Sequence, residues 1–135
     1  MSFVFPKAKG AAWRQEVNWL RDDVRAALVT KDYAPEPGTE DEFFSDIPPE
    51  AVIQISNSLP QRAILKDVLD SAKIKFPVVV GDKVNAMVIF QRKADEKTSR
   101  LLMYIDVING FPFIANGSDV EVDWPSDNAQ RIVRL

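Results

Sequence analysis

Three acids at alternate positions, Asp119, Glu121 and Asp123, form the one row in this chain that could hold a divalent cation. On a strand, alternate side chains share a face about 7 Å apart, and carboxylate oxygens suit hard cations. The same row also suits the wet face of a half-buried sheet. Val120, Val122 and Trp124 fill the intervening positions, and acids on an outer face keep it soluble and discourage edge pairing. The wet face is the simpler reading. The acidic pairs Asp22-Asp23 and Asp95-Glu96 are sequence neighbours, so on strands they would point to opposite faces and make poor acid/base partners. The chain has no histidine and no cysteine. That removes the commonest general base, the commonest metal ligand, thiolate chemistry and disulfides. Its five glycines form no phosphate-binding loop, and there is no nucleophile elbow. The expectation is a protein that is not an enzyme, with no catalytic site, cofactor or metal.

Aromatic residues offer a second chemistry. Stacking on nucleic acid wants aromatics interleaved with Arg and Lys on one face. Trp124 instead sits in an acidic run and Trp19 precedes Arg21-Asp22-Asp23, so core or interface packing fits Trp13, Trp19 and Trp124 better. A net charge of 17 − 20 = −3 gives no reason to expect nucleic acid. No apolar run approaches the roughly 20 residues of a membrane span. The first residues lack the basic stretch and long apolar run of a signal peptide. A reducing cytoplasm is therefore expected, with no membrane partner.

The charge is unevenly spread. Residues 1–14 carry Lys7, Lys9 and Arg14 with no acid, and residues 32–50 carry seven acids with no base. The two segments read either as an electrostatic dock, on each other or on a partner, or as a solvated tail and loop.

A chain of 135 residues with 46% apolar and 27% charged side chains makes one globular domain with a real core. Residues 1–22 read as an extended N-terminal arm and a short helix at about 9–16, and residues 23–135 as a β domain. Phe3, Val4 and Phe5 give the arm apolar anchors, which either return to the chain's own sheet or dock on a neighbour. A strand is expected at about 23–30. Residues 31–50 form an acidic loop punctuated by Pro35, Pro37 and Gly38, with Phe43 and Phe44 as anchors and Pro48-Pro49 ending any helical turn. A strand follows at 51–56. Residues 60–72 fit either a helix, on Ile64, Leu65, Val68, Leu69 and Ala72, or a short strand at 62–66 and a turn. Strand patterns then recur at 73–76, 84–90, 100–107, 119–124 and 132–135, with turn signals at Gly81-Asp82, Asn109-Gly110 and Asn116-Gly117. Alternation puts Val84, Ala86, Val88 and Phe90 on one face, and Leu101, Met103, Ile105 and Val107 on one face. The expected fold is mainly β: an antiparallel β-sandwich or flattened barrel with one or two short helices.

Several motifs occur in a telling order: Val24-Arg25-Ala26-Ala27-Leu28-Val29, Tyr33, Glu42-Phe43-Phe44-Ser45-Asp46-Ile47-Pro48, Gly81-Asp82, Ala86-Met87-Val88-Ile89-Phe90, Thr98 through Asp106, Gly110-Phe111-Pro112-Phe113, Asn116 through Trp124, and Arg131-Ile132-Val133-Arg134-Leu135. In this the chain resembles a family of small bacteriophage and prophage structural proteins. It departs from that pattern at residues 60–72 and in an arm richer in aromatics and proline. The resemblance implies a virion component without enzymatic activity, assembled in the host bacterial cytoplasm. It implies a head decoration (cement) protein on the major capsid protein first, and a tail, neck or connector part second. Decoration of many equivalent sites implies self-association, as a homotrimer. The expected partner interface is Phe3, Val4, Phe5, Lys7, Lys9 and Trp13 of the arm, with Phe43 and Phe44 of the acidic loop.

Overall fold

The computed structural model describes residues 2–65, 68–106, 108 and 110–122. Among them the elements run β1 (Phe3–Val4), α1 (Pro6–Trp13), β2 (Val24–Val29), β3 (Val52–Ile55), β4 (Ala63–Leu65) and β5 (Val68–Asp70). Then come β6 (Ile74–Phe76), β7 (Lys83–Val84), β8 (Ala86–Gln91), β9 (Arg100–Ile105), β10 (Phe113–Ile114) and β11 (Val120–Val122). Two 3-10 turns, Phe44–Asp46 and Pro49–Ala51, sit between β2 and β3.

The fold is mainly β and sandwich-like. A five-stranded antiparallel sheet has the order β1-β9-β8-β2-β3, and three antiparallel ribbons pair β7 with β10, β6 with β11 and β4 with β5. Pairing of β8 with β9 and β2 follows from the charged hairpin loop at 92–99 and from matched apolar runs. The register shifts once in each of β8–β9 and β2–β3, where a bulge bends the sheet.

Burial of the central strands differs from a sheet with one wet face. All six residues of β8 and all of Leu101–Ile105 are buried, so both faces of the middle of the sheet are covered. Continuous apolar runs such as Ala86-Met87-Val88-Ile89-Phe90 are what two-sided burial demands. One face carries Tyr104 and Phe90. Phe3 stacks on Tyr104 at 5.6 Å, Tyr33 meets it edge-on at 6.3 Å, and Phe44 packs on Phe90 at 4.5 Å between ring centroids. On the other face Gln91 is buried, and its side-chain amide donates to the Glu16 carbonyl (3.0 Å) and to Asp22 Oδ2 (2.6 Å).

Three expectations are corrected or narrowed. The helix spans Pro6–Trp13 rather than 9–16, because Pro6 in its first turn has a preset φ and no N–H to lose. The chain then leaves the helix through Gln15 at φ 62°. Of the two readings of residues 60–72 the strand one holds: β4 (Ala63–Leu65) pairs antiparallel with β5 (Val68–Asp70). The Ala72 amide and the Ser71 hydroxyl both donate to the Pro60 carbonyl at 3.1 Å and tie the hairpin's base. The arm is not extended away from the domain: β1 is an edge strand of the main sheet, with Phe3 opposite Tyr104 and Val4 opposite Met103. Asp123, Trp124, the turn residue Asn109 and the strand expected at 132–135 lie outside the described residues.

Candidate interaction surface

Phe3 and Phe5 are buried in the protein's own core, and the Phe5 amide donates to the Leu102 carbonyl at 2.9 Å. The choice between an arm docked on a neighbour and one folded on its own sheet therefore falls to the second. Two aromatic rings cannot stay in water beside an apolar sheet edge that fits them. Val4 is half-buried, while Lys7, Lys9 and Trp13 are exposed on α1. Ala8 and Ala11 form the buried side of that helix. Phe44 is buried against Phe90, and Phe43 is half-buried.

The basic arm and the acidic loop meet inside one molecule. Lys7 Nζ lies 3.6 Å from Glu42, and Glu42 accepts a hydrogen bond from Arg100 at 3.1 Å. Arg100 also donates to Glu16 at 3.4 Å, and Glu16 in turn pairs with Arg14. The Arg100 guanidinium sits 5.4 Å from the centre of the Phe43 ring, within cation–π range. This alternating ladder of five charges links α1, the turn after it, the acidic loop and β9. The partners of Arg100 are 58 and 84 residues away in sequence, so no spacing rule could have joined them. Glu16 is held below its ordinary value of 4.5, first by the hydrogen bond from Arg14 and then by the charges of Arg14 and Arg100, against an opposing desolvation.

Further tethers hold the acidic loop. The Tyr33 hydroxyl donates to Asp41 Oδ2 at 2.9 Å. Burial, with that hydrogen bond and the negative charges of Asp41 and Asp46, pushes the Tyr33 hydroxyl well above its ordinary 10.0. Asp46 Oδ2 accepts from the amides of Glu42 (2.8 Å) and Phe43 (3.0 Å). The other acids have similar structural work. Asp22 accepts from Asn18 and Gln91. Asp23 pairs with Arg25 at 3.0 Å, and that hydrogen bond lowers its pKa. Asp95 Oδ1 accepts from the Lys97 amide, and the Asp95 backbone carbonyl accepts from the amides of Thr98 and Ser99 in the turn before β9.

In the acidic row, Asp119 Oδ1 accepts from the Val78 amide at 2.8 Å, and Glu121 faces Lys73 at 3.9 Å. Both acids are exposed while Val122 is buried. Among the described residues no three acidic side chains converge. A groove of about 500 Å³ lies between residues 56–61 and 72–75; Ser56, Asn57, Ser58, Lys73 and Lys75 line it, with no carboxylate. Among the described residues no helix is long and apolar enough to cross a membrane.

Several large apolar side chains are also left on the surface. Trp13 is 90% exposed, and Leu20, Val78, Val80 and Ile114 are each more than half exposed. No protein-family model and no curated protein matches this chain.

Proposed function

We propose that this chain is a structural component of a bacteriophage virion: a head decoration (cement) protein that binds the outside of the shell through the major capsid protein and stabilises it. The observation that carries the reading is the 90% exposure of Trp13 on a helix whose other side is buried. A large aromatic left in water on a firmly seated helix is a contact waiting for a surface. The charged groups of the Arg100 ladder hold the loop, the helix and the sheet together. The ordered sequence motifs from Val24 to Leu135 support the same reading. The protein works without enzymatic activity, nucleic acid or membrane, associates with itself as a homotrimer, and resides in the virion after assembly in the host cytoplasm.

Purified particles test it. Antibody labelling should coat the head, and quantitative gel staining should give a copy number on the order of hundreds, as many equivalent sites require. Heads lacking the protein should burst at lower temperature and regain stability when it is added back. A single ring of about six or twelve copies would move it to the tail, neck or connector, and absence from particles would end the virion reading.

A further inference from the structure

We propose that Trp13 and Lys9 receive the proline-containing turn at residues 34–38 of a second copy of this chain. Lys9 and Trp13 are one helical turn apart on α1, so they are neighbours on its outer side. Gly10, between them, adds no side chain there. Lys7 and Arg14 already face Glu42 and Glu16, whereas Lys9 makes no ion pair among the described residues. The helix thus offers one flat aromatic ring beside one cation free to choose a partner.

Residues 34–38 read Ala34-Pro35-Glu36-Pro37-Gly38 and are complementary to that pair. The segment is closed at its base by the bond from Tyr33 to Asp41, and at its tip by the Thr39 amide donating to the Glu36 carbonyl at 2.9 Å. Glu36, Pro37 and Gly38 are exposed. Glu36 has no ion pair among the described residues, and the exposed acids Asp32 and Glu40 flank it in sequence. Proline faces pack on tryptophan rings, and a pre-bent turn loses little entropy on docking. Glu36 flanked by two prolines can reach Lys9 while a ring of Pro35 or Pro37 lies on Trp13. Lys7 and Glu42 already show this pairing of helix cation with loop acid inside one molecule, at the end of the same loop. The two surfaces differ, so reciprocal contact closes a dimer and sequential contact closes a ring. The inference does not depend on the particle reading, because it concerns the free protein.

Sedimentation equilibrium of the purified protein over a concentration series reads the association directly. The wild type should associate, more weakly as salt rises. Trp13→Ala should raise the dissociation constant by at least about tenfold with an unchanged unfolding temperature. Lys9→Glu and Glu36→Lys should each weaken association, and the double variant should recover it. Recovery in the double variant separates this contact from any other route to an oligomer. A wild type that stays monomeric at every concentration overturns the proposal. So does association unaffected by Trp13→Ala, which would point to another surface such as Val78, Val80 and Ile114. Weakening by Lys9→Glu without any effect of Glu36→Lys also overturns it, since the occupant of the Trp13 surface would then not be this turn.

Discussion

The basic arm at residues 1–14 and the acidic loop at residues 31–50 each carry two Phe in sequence, yet they are fastened in different proportions by burial and by charge. The arm is held by apolar burial and strand pairing: Phe5 is fully buried, Phe3 stacks on Tyr104, and β1 joins the sheet edge. The loop has apolar anchors in Tyr33, Phe44 and Ile47, and to these it adds polar tethers that the arm largely lacks: Tyr33 to Asp41, Arg100 to Glu42, and Asp46 to two amides. Burial is nearly indifferent to salt and pH, whereas exposed and half-buried charge pairs respond to both. Of the two segments, the loop is therefore the one whose fastening should respond more to salt and pH.

The largest expected effect tests the arm. Phe5→Ala should destabilise the protein by about 3–5 kcal/mol, the usual cost of a buried Phe truncated in a packed core. Deleting residues 1–8 should do worse, because it also strips β1 from β9. Thermal unfolding by circular dichroism measures both. A truncated chain that unfolds cooperatively at the wild-type temperature would mean that the arm is not part of the core.

Arg100→Gln tests the loop. It leaves Glu16 and Glu42 without their shared cation and Phe43 without its cation–π partner, and should cost about 1–3 kcal/mol. The loss should shrink as salt rises, because the wild-type ladder is itself screened. A salt-independent loss as large as that of Phe5→Ala would erase the contrast between the two segments.

Titration sharpens the contrast. The folded-state pKa of Tyr33 lies above its ordinary 10.0, so ionising it costs more in the folded protein than in the unfolded chain. Its contribution is intact below pH 10 and is lost as pH rises beyond that. Tyr104 shifts the same way, through burial and the charge of Asp106. Tyr33→Phe should cost about 1 kcal/mol at neutral pH for the lost hydrogen bond and should flatten part of the alkaline decline. Glu16 and Asp23 lie below their ordinary 4.5 and 3.8. Their contributions are present above those values and fade as pH falls through the lowered ones. Glu16→Gln should therefore flatten the acid limb and leave the alkaline limb alone.

Much of the sheet is legible in the sequence because strand patterns are local. Val24-Arg25-Ala26-Ala27-Leu28-Val29 reads as a strand and is one, and the runs that become β8 and β9 are in place. Burial of both faces of β8 is less legible. Alternation separates Ala86, Val88 and Phe90 from Met87, Ile89 and Gln91, but the partners of Gln91 on the second face, Glu16 and Asp22, are far away in sequence. The interface reading is legible only in part. Phe3, Val4 and Phe5 have the composition of a docking arm, and composition does not say whose sheet an arm joins. The Arg100 ladder leaves no local trace at all, since its carboxylates come from a turn and a loop that only the folded chain brings together.

The smallest effect concerns a segment belonging to neither fastening. Val78 has φ 46°, in the left-handed region, and it is 61% exposed. A β-branched residue pays there through contact between its branched side chain and its own backbone, on the order of 1–2 kcal/mol. The Asp119 carboxylate, accepting from the Val78 amide, holds the chain in that bend. Val78→Gly removes the contact and gives up little burial, but it frees the unfolded chain by about 0.5–1 kcal/mol. The balance favours the variant by roughly 0.5 kcal/mol, the opposite sign to every substitution above. Urea unfolding of Val78→Gly and Val78→Ala should show the first slightly more stable than the wild type and the second close to it. Val78→Gly less stable than the wild type would mean that the valine side chain is held by a contact worth more than the strain.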